Sequence, residues 1–233
     1  MWSLTPAEVQ TLLLSLKVAF CSVAVSLPLA VALAWMLSRL SFPGKGLLDA
    51  VVHLPLVLPP VVVGYFLLVL LGRHGPLGAP LYDYLGVSFA FRWTGAALAS
   101  AVMGLPLLVR AVRQSLDAVD RGLEQAAATL GASPAWVFAS VTLPLILPGM
   151  LTGMLLAFAR SLGEFGATIT FVSNIPGETR TLPLAIFTYT EVPGGDVPAL
   201  RLCILSVLLS LAALVASEAL LRRAVMRASG RDA

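Results

Sequence analysis

The segment from residue 123 to residue 144 reads LEQAAATLGASPAWVFASVTLP. The alanine- and leucine-rich run over residues 120–130 has strong helix propensity. Gly131 can adopt the left-handed conformation that ends a helix, and Ser133–Pro134 then offers a good N-cap and first helical residue. Leu143–Pro144 is expected to end the second helix or to turn the chain, because a residue before proline avoids the helical region. The segment therefore predicts two short helices joined by a turn.

Long apolar blocks flank this segment on both sides. Hydrophobic residues make up 58% of the 233-residue chain and charged residues 12%, whereas a soluble domain carries about 25% charged residues. A bilayer core about 30 Å thick needs roughly 20 apolar residues as a helix. We therefore expect an all-α, polytopic membrane protein, a single transmembrane domain over residues 1–233 with a structured loop at about 117–146. The five expected spans are residues 9–37, 47–71, 94–112, 147–172 and 199–221.

Two segments depart from the pattern of simple spans. The second block contains Pro55, Pro59 and Pro60, and proline removes a backbone donor and kinks a helix. This block is expected to be broken or bent, either for function or as a packing irregularity. Residues 181–190 are apolar but too short to span, so they are expected to form a re-entrant or interfacial helix, with an additional span left open.

The distribution of basic residues predicts the orientation. If the chain crosses five times, nine basic residues fall on one side and four on the other. The positive-inside rule then places the N-terminus outside and the C-terminus in the cytoplasm. The nine are Arg39, Lys45, Arg110, Arg113, Arg121, Arg222, Arg223, Arg227 and Arg231, and the four are Arg73, Arg92, Arg180 and Arg201.

The segment quoted first resembles the EAA loop of permeases from binding-protein-dependent ABC importers, with the pattern Glu-x-Ala-Ala, then Gly, then a later Leu-Pro. Gln125 stands where the motif's name has Ala. The resemblance implies the type I ABC importer permease (MetI-like) fold and a loop that inserts into a cleft on an ATPase subunit. Glu124 is expected to be a free carboxylate available to a basic group of that subunit. The expected coupling residues are Glu124, Ala127, Ala128, Gly131, Leu143 and Pro144.

A second resemblance concerns the substrate. Residues 158–170 and 176–186 are similar to molybdate permease subunits, within a group that also imports tungstate, sulfate, iron and thiamine. Sulfate permeases usually have Tyr where Phe165 stands. The resemblance implies import of molybdate, with tungstate, sulfate or another oxyanion as alternatives. It also implies a homodimer in the bacterial inner membrane, two ATPase chains, and a periplasmic or lipid-anchored molybdate-binding protein.

Two charges fall inside the fourth block. Arg160 lies about 13 residues, or roughly 20 Å, into the block, and Glu164 follows four residues later on the same expected helix face. Each would cost about 2.5–3.5 kcal/mol if it faced lipid, so both are expected to face protein or water and to pair. They either border the translocation path or form a structural ion pair that locks helices together. The path or gate candidates are Arg160, Ser161, Glu164 and Thr168.

Several functional classes lack the residues they need. The sequence has no phosphate-binding loop of the Walker type, and its only lysines are Lys17 and Lys45. We therefore expect no catalytic site, with ATP hydrolysis on a partner chain. Two cysteines and two isolated histidines predict neither a metal site nor a cofactor. A nucleic-acid-binding protein would need a dense basic patch, and the sequence has none. A self-sufficient secondary transporter, the alternative class, usually shows internal repeats, and none is evident.

Overall fold

The computed structural model describes residues 4–228, with side chains described up to residue 216, so Arg231 and the side chains of Arg222, Arg223 and Arg227 lie outside it. Every regular element in the described residues is helical. A π-helical segment, Phe138–Thr142, lies between the seventh and eighth helices. The helices are α1 Pro6–Arg39, α2 Lys45–Val57, α3 Pro60–Leu71, α4 Gly78–Leu85, α5 Trp93–Ala118, α6 Arg121–Thr129, α7 Pro134–Val137, α8 Leu143–Leu162, α9 Gly166–Val172, α10 Leu182–Thr190 and α11 Asp196–Ala228.

The first span begins with a strong local signal. Thr5 caps α1 and accepts a hydrogen bond from the Glu8 backbone N–H, while the Glu8 carboxylate accepts from the Thr5 backbone N–H at 2.7 Å. This capping box satisfies donors that a helix N-terminus leaves unpaired. Pro6 occupies the first turn, where its missing N–H costs nothing. α1 then continues for 34 residues, long enough to cross a membrane.

The second block is a sharply bent pair of helices, as the prolines predicted. The axis of α3 is bent by 115° from that of α2 across a short break. Pro59 precedes α3 and Pro60 opens it, so neither residue can donate the backbone hydrogen bond that would continue α2. The described residues contain four helices long and apolar enough to span, or five if this pair counts as one span.

Contacts at the two ends of α1 show that the bent pair carries the chain back across the bundle. Lys17, in the first half of α1, lies over the ring of Trp93, where α5 begins. Ser38, near the other end of α1, donates to Asp117, where α5 ends, at 2.5 Å. α1 and α5 therefore run in the same direction. The segment between them must cross in the opposite direction, which supports the five-span count.

The fourth block differs from its expected bounds at both ends. Helical structure starts at Pro134 and passes through the π segment into α8, so Leu143–Pro144 neither ends a helix nor turns the chain. The π segment widens the helix just before Pro144, which relieves the clash that a proline makes with the preceding turn. At the other end, α8 stops at Leu162, and α9 begins only at Gly166. The block is therefore not one continuous helix.

The core of the bundle is formed by α1, α5 and α8. Leu108, Val112 and Leu116 of α5 are completely buried against α1 and α8. The short helices α3 and α9 pack closely against each other, because Gly64 and Gly166 at their interface carry no side chain. The short helix α10 buries Leu182 and Leu184 and packs on α11. The predicted short helix at 181–190 is thus present as part of the folded body rather than as a span.

Candidate coupling loop and intramembrane ion pair

The EAA-type loop (residues 117–146) contains the two helices and the turn that its sequence predicts. The Asp120 side chain accepts a hydrogen bond from the Gly122 backbone N–H at 2.8 Å and caps α6. Gly131 has a φ of 87°, a left-handed conformation that places the two helices at an angle. Ser133 caps α7 by accepting from the Trp136 backbone N–H at 3.3 Å. The local signals in this segment are therefore sufficient to specify its backbone.

Glu124 is not the free carboxylate that we expected. Its Oε1 atom accepts a hydrogen bond from Arg39 Nη2 at 3.0 Å and another from the Thr142 hydroxyl at 2.7 Å. The Arg39 side chain is 10% exposed and the Glu124 side chain 21% exposed. The expectation was wrong because Arg39, at the end of α1 and distant in sequence, binds this carboxylate within the same chain.

The remaining coupling candidates occupy different environments. Ala127 lines a hollow of ≈ 720 Å³ between α6, the turn at Gly131 and α7. Ala128 lines a second hollow of ≈ 360 Å³ between the loop and the end of α1. Leu143 packs against the buried core cluster, whereas Pro144 is exposed. The structure thus separates an outward-facing part of the motif from a part that joins the loop to α8.

Sequence reasoning missed an exposed apolar surface on this loop. Leu130 is 88% exposed, Trp136 58% and Leu123 51%. Leu130 and Trp136 both border the larger hollow. Apolar residues in a stretch with high helix propensity give no local signal of exposure, because the same residues could equally have packed on the bundle.

Arg160 and Glu164 form the predicted pair, but not on one helix face. Arg160 Nη1 lies 2.6 Å from Glu164 Oε2, an ionic contact, since Oε2 makes no hydrogen bond of acceptable geometry. Arg160 is in the last turn of α8, whereas Glu164 lies in the break between α8 and α9. Its other oxygen accepts from the Ala167 backbone N–H at 2.8 Å and satisfies a donor at the start of α9. Glu164 therefore links the two halves of the broken helix.

The two hydroxyl candidates point into the protein. The Ser161 hydroxyl accepts from Ser22 of α1 at 3.1 Å, and Ser161 is 6% exposed. Thr168 is 1% exposed. By contrast, 28% of the Arg160 side chain is exposed, although the helix around it is apolar. Of the four residues, Arg160 is thus the one whose side chain can contact water or another protein chain.

The described residues contain no group of three His, Cys, Asp or Glu side chains placed to hold a metal ion. Two of their ion pairs lie at helix junctions: Arg39–Glu124 beside the loop and Arg160–Glu164 at the break between α8 and α9. The apolar bundle requires a lipid environment, and the capped loop projects from one end of it. The fold defines an all-helical integral membrane protein that crosses the membrane several times.

Comparison with known proteins assigns the family. The chain belongs to the family of binding-protein-dependent transport system inner membrane components, whose sequence profile matches residues 26–226. It is 61% identical over 219 residues to the molybdenum transport system permease protein ModB of Escherichia coli strain K12, covering 94% of this chain and 96% of that protein. It is 56% identical over 216 residues to ModB of Haemophilus influenzae strain Rd, covering 93% and 94%.

A solved structure supports the fold independently. A chain of the MetNI methionine ABC transporter, solved in inward-facing conformations, superimposes with a TM-score of 0.68 at 18% sequence identity, covering 96% of this chain and 97% of that chain. The MetI-like fold expected from the sequence is therefore confirmed. The family membership also confirms the expected class, a permease subunit of an ABC importer in the inner membrane.

Proposed function

We propose that this chain forms half of the transmembrane pathway through which an ABC importer moves molybdate into the cell. The observation that carries the substrate is the 61% identity, over nearly the full length of both chains, to a molybdenum transport permease. Molybdate is a tetrahedral dianion. Its passage favours transient contacts with hydroxyl and backbone N–H groups over a ring of arginines, which would hold it too tightly.

The exposed face of the EAA-type loop supports docking of a separate ATPase subunit. Leu130 and Trp136 present apolar surface beside a hollow of ≈ 720 Å³, in a loop that projects from the membrane part. Exposed apolar surface of this kind marks an interaction site. We assign the contact with the ATPase to this face of α6 and α7, with Gly131 setting the angle between the helices.

The exposure of Arg160 supports a second copy of the chain. A guanidinium with 28% of its side chain exposed would cost about 2.5–3.5 kcal/mol if it faced lipid at this depth. A water-filled path between two copies removes that cost. We therefore propose a homodimeric pore served by two ATPase chains and an external molybdate-binding protein. Arg160 and Glu164 form its gate, while Ser161 and Thr168 support the gate from within.

The test is reconstitution of the permease with its ATPase and binding protein in vesicles, with uptake of labelled molybdate as the readout. Uptake is expected to require ATP and the binding protein, and unlabelled molybdate should compete better than sulfate. Leu130→Asp should lower uptake and ATPase association, whereas Leu85→Asp is the control, since Leu85 is also exposed (68%) but lies at the end of α4. Uptake that persists without the ATPase would overturn the proposal in favour of a secondary transporter.

A further inference from the structure

Helix α6 has no packing that would fix its position. None of its residues is buried, and its sequence neighbours α7 and the π segment are the elements it contacts most. Burial of apolar surface, the main source of rigidity in the bundle, is therefore small here, since even Ala127 is only half-buried. A helix that transmits force must be held to the parts that it moves. The hydrogen bonds of α6 thus decide what it is attached to.

Glu124 provides that attachment. Among the residues whose side chains the structure describes, the only side-chain hydrogen bonds from α6 to other elements are the two that Glu124 Oε1 accepts. One comes from Arg39, the last residue of α1. The other comes from Thr142, the last residue of the π segment that leads into α8. A single oxygen atom therefore joins α6 to two different spans.

The strength of this junction follows from charge and burial. The bond from Arg39 is charge-assisted, and such bonds are roughly twice as strong as neutral ones. With 10% of the Arg39 side chain and 21% of the Glu124 side chain exposed, water and salt screen the pair less than they screen a surface pair. Removing one partner would leave the other as a poorly solvated charge. The contact is therefore costly to break while the loop keeps its place.

We propose that Arg39 and Thr142 are positioning residues for coupling, which act through Glu124 to hold α6 against the ends of α1 and α8. A displacement of α6 by the ATPase then moves both spans together instead of only bending the loop. This inference rests on the proposed function for the source of the displacement. It gives Glu124 Oε1 a role within the chain, because Arg39 and Thr142 both donate to that atom.

The first experiment needs neither ATPase nor substrate. Hydrogen exchange of residues 121–129 is measured on the full chain in lipid nanodiscs. Arg39→Met and Thr142→Val should each accelerate exchange in this helix, Arg39→Met by about tenfold. Arg39→Lys should largely restore protection, because Nη2 alone bonds to Glu124 while Nε makes no hydrogen bond. The matched control is Arg113→Met, which breaks a 3.0 Å ion pair with Asp49 without touching α6.

The second experiment measures coupling in the assembled importer. In Arg39→Met, the molybdate imported per ATP hydrolysed should fall by about fivefold or more, while the ATPase still co-purifies with the permease. Arg39→Met combined with Glu124→Gln should be no worse than either change alone, since both remove one junction.

Unchanged exchange in α6 for both Arg39→Met and Thr142→Val would overturn the positioning role. So would loss of ATPase association in Glu124→Gln alone, which would return Glu124 to the interface with the ATPase. If the unaltered importer moves no molybdate, the proposed substrate fails, whereas the exchange result still decides what holds α6.

Discussion

At the scale of single residues, two glutamates have structural roles that depend on their surroundings. Glu124 and Glu164 each lie at a junction between helices, and each is paired with an arginine of the same chain. Glu124 joins the loop to two spans, whereas Glu164 joins α8 to the start of α9. In both cases the carboxylate also accepts an uncharged hydrogen bond. Both residues therefore fix the relative position of elements that backbone hydrogen bonds leave separate.

The Arg160–Glu164 pair should behave as a unit. Arg160→Met alone leaves a carboxylate that is 1% exposed without its cation, and breaking such a pair typically costs about 3–5 kcal/mol. Adding Glu164→Gln removes the charge but keeps an oxygen that can accept from the Ala167 N–H. The double variant should therefore be closer to the unaltered protein in thermal stability and uptake than Arg160→Met. Strictly additive effects would show that the two side chains do not interact.

Gly131 should tolerate Asn but not Val. A Cβ atom at this position would meet nothing within 4 Å, so the cost of substitution comes from the φ of 87° alone. Val is strained in this region by about 1–2 kcal/mol, while Asn visits it readily. Gly131→Val should leave membrane insertion and expression normal but reduce molybdate uptake per ATP hydrolysed, whereas Gly131→Asn should keep it. Equal coupling in both variants would mean that the turn angle is unimportant.

At the scale of elements, two interrupted helices are packed against each other. α3 begins after the break at Pro59, and α9 begins after the break at Glu164. Gly166, the first residue of α9, faces Pro60, and Gly64 of α3 faces the backbone of Ala167. α3 and α9 therefore form one tightly packed unit. This packing joins the regions of the two breaks.

A methyl group at Gly64 should disturb this unit. Its Cβ would lie 2.5 Å from the Ala167 carbonyl oxygen and 2.9 Å from the Ala167 Cα, and both are backbone atoms. Overpacking of this kind costs about 1–3 kcal/mol, so Gly64→Ala should lower the thermal midpoint of the detergent-purified protein. Gly163→Ala is the control near the other break, because its Cβ would have no neighbour closer than 3.9 Å. A drop of the same size in both variants would point away from the α3–α9 contact.

At the scale of the whole molecule, the direction of each span follows from contacts at its ends. α11 begins beside the start of α1, where Arg201 Nε donates to Glu8 Oε1 at 2.9 Å. α8 begins beside the end of α1, where Thr142 and Arg39 share Glu124. α1, α5 and α11 therefore run one way, and the bent pair and α8 run the other way. If the bent pair counts as one crossing, the start of α1 and the end of α11 lie on opposite sides of the membrane.

Reporter fusions should reveal the orientation. Fusions after residues 42 and 227 should report the cytoplasm, and fusions after residues 75 and 194 should report the outside, as the nine-to-four distribution of basic residues predicts. The pair of fusions at 42 and 75 tests the bent helix directly. If both report the same side, α2 and α3 form a re-entrant loop; if all four are reversed, the whole orientation is inverted.

Features that depend on neighbouring residues could be predicted from the amino-acid order alone. Apolar blocks fixed the membrane class, Gly131 and Ser133 fixed the turn of the loop, and the prolines at 59 and 60 fixed the break in the second block. Each of these rests on propensity, capping or a missing N–H, which act within a few residues. For that reason the two expected loop helices and the turn at Gly131 were confirmed, whereas the expected stop at Leu143–Pro144 was wrong. The MetI-like fold, which the resemblance implied, was confirmed by the comparisons.

The contacts between distant residues became known from the three-dimensional arrangement of the helices. Arg39 lies 85 residues from Glu124, and nothing local distinguishes an arginine that orients a span from one that binds a carboxylate. The continuous passage from α7 into α8 and the break at Glu164 were likewise missed. A π segment accommodates Pro144 in the first case, and a carboxylate held by Arg160 supports the start of α9 in the second. Such contacts depend on how helices are juxtaposed in space, which the order of residues within one segment does not specify.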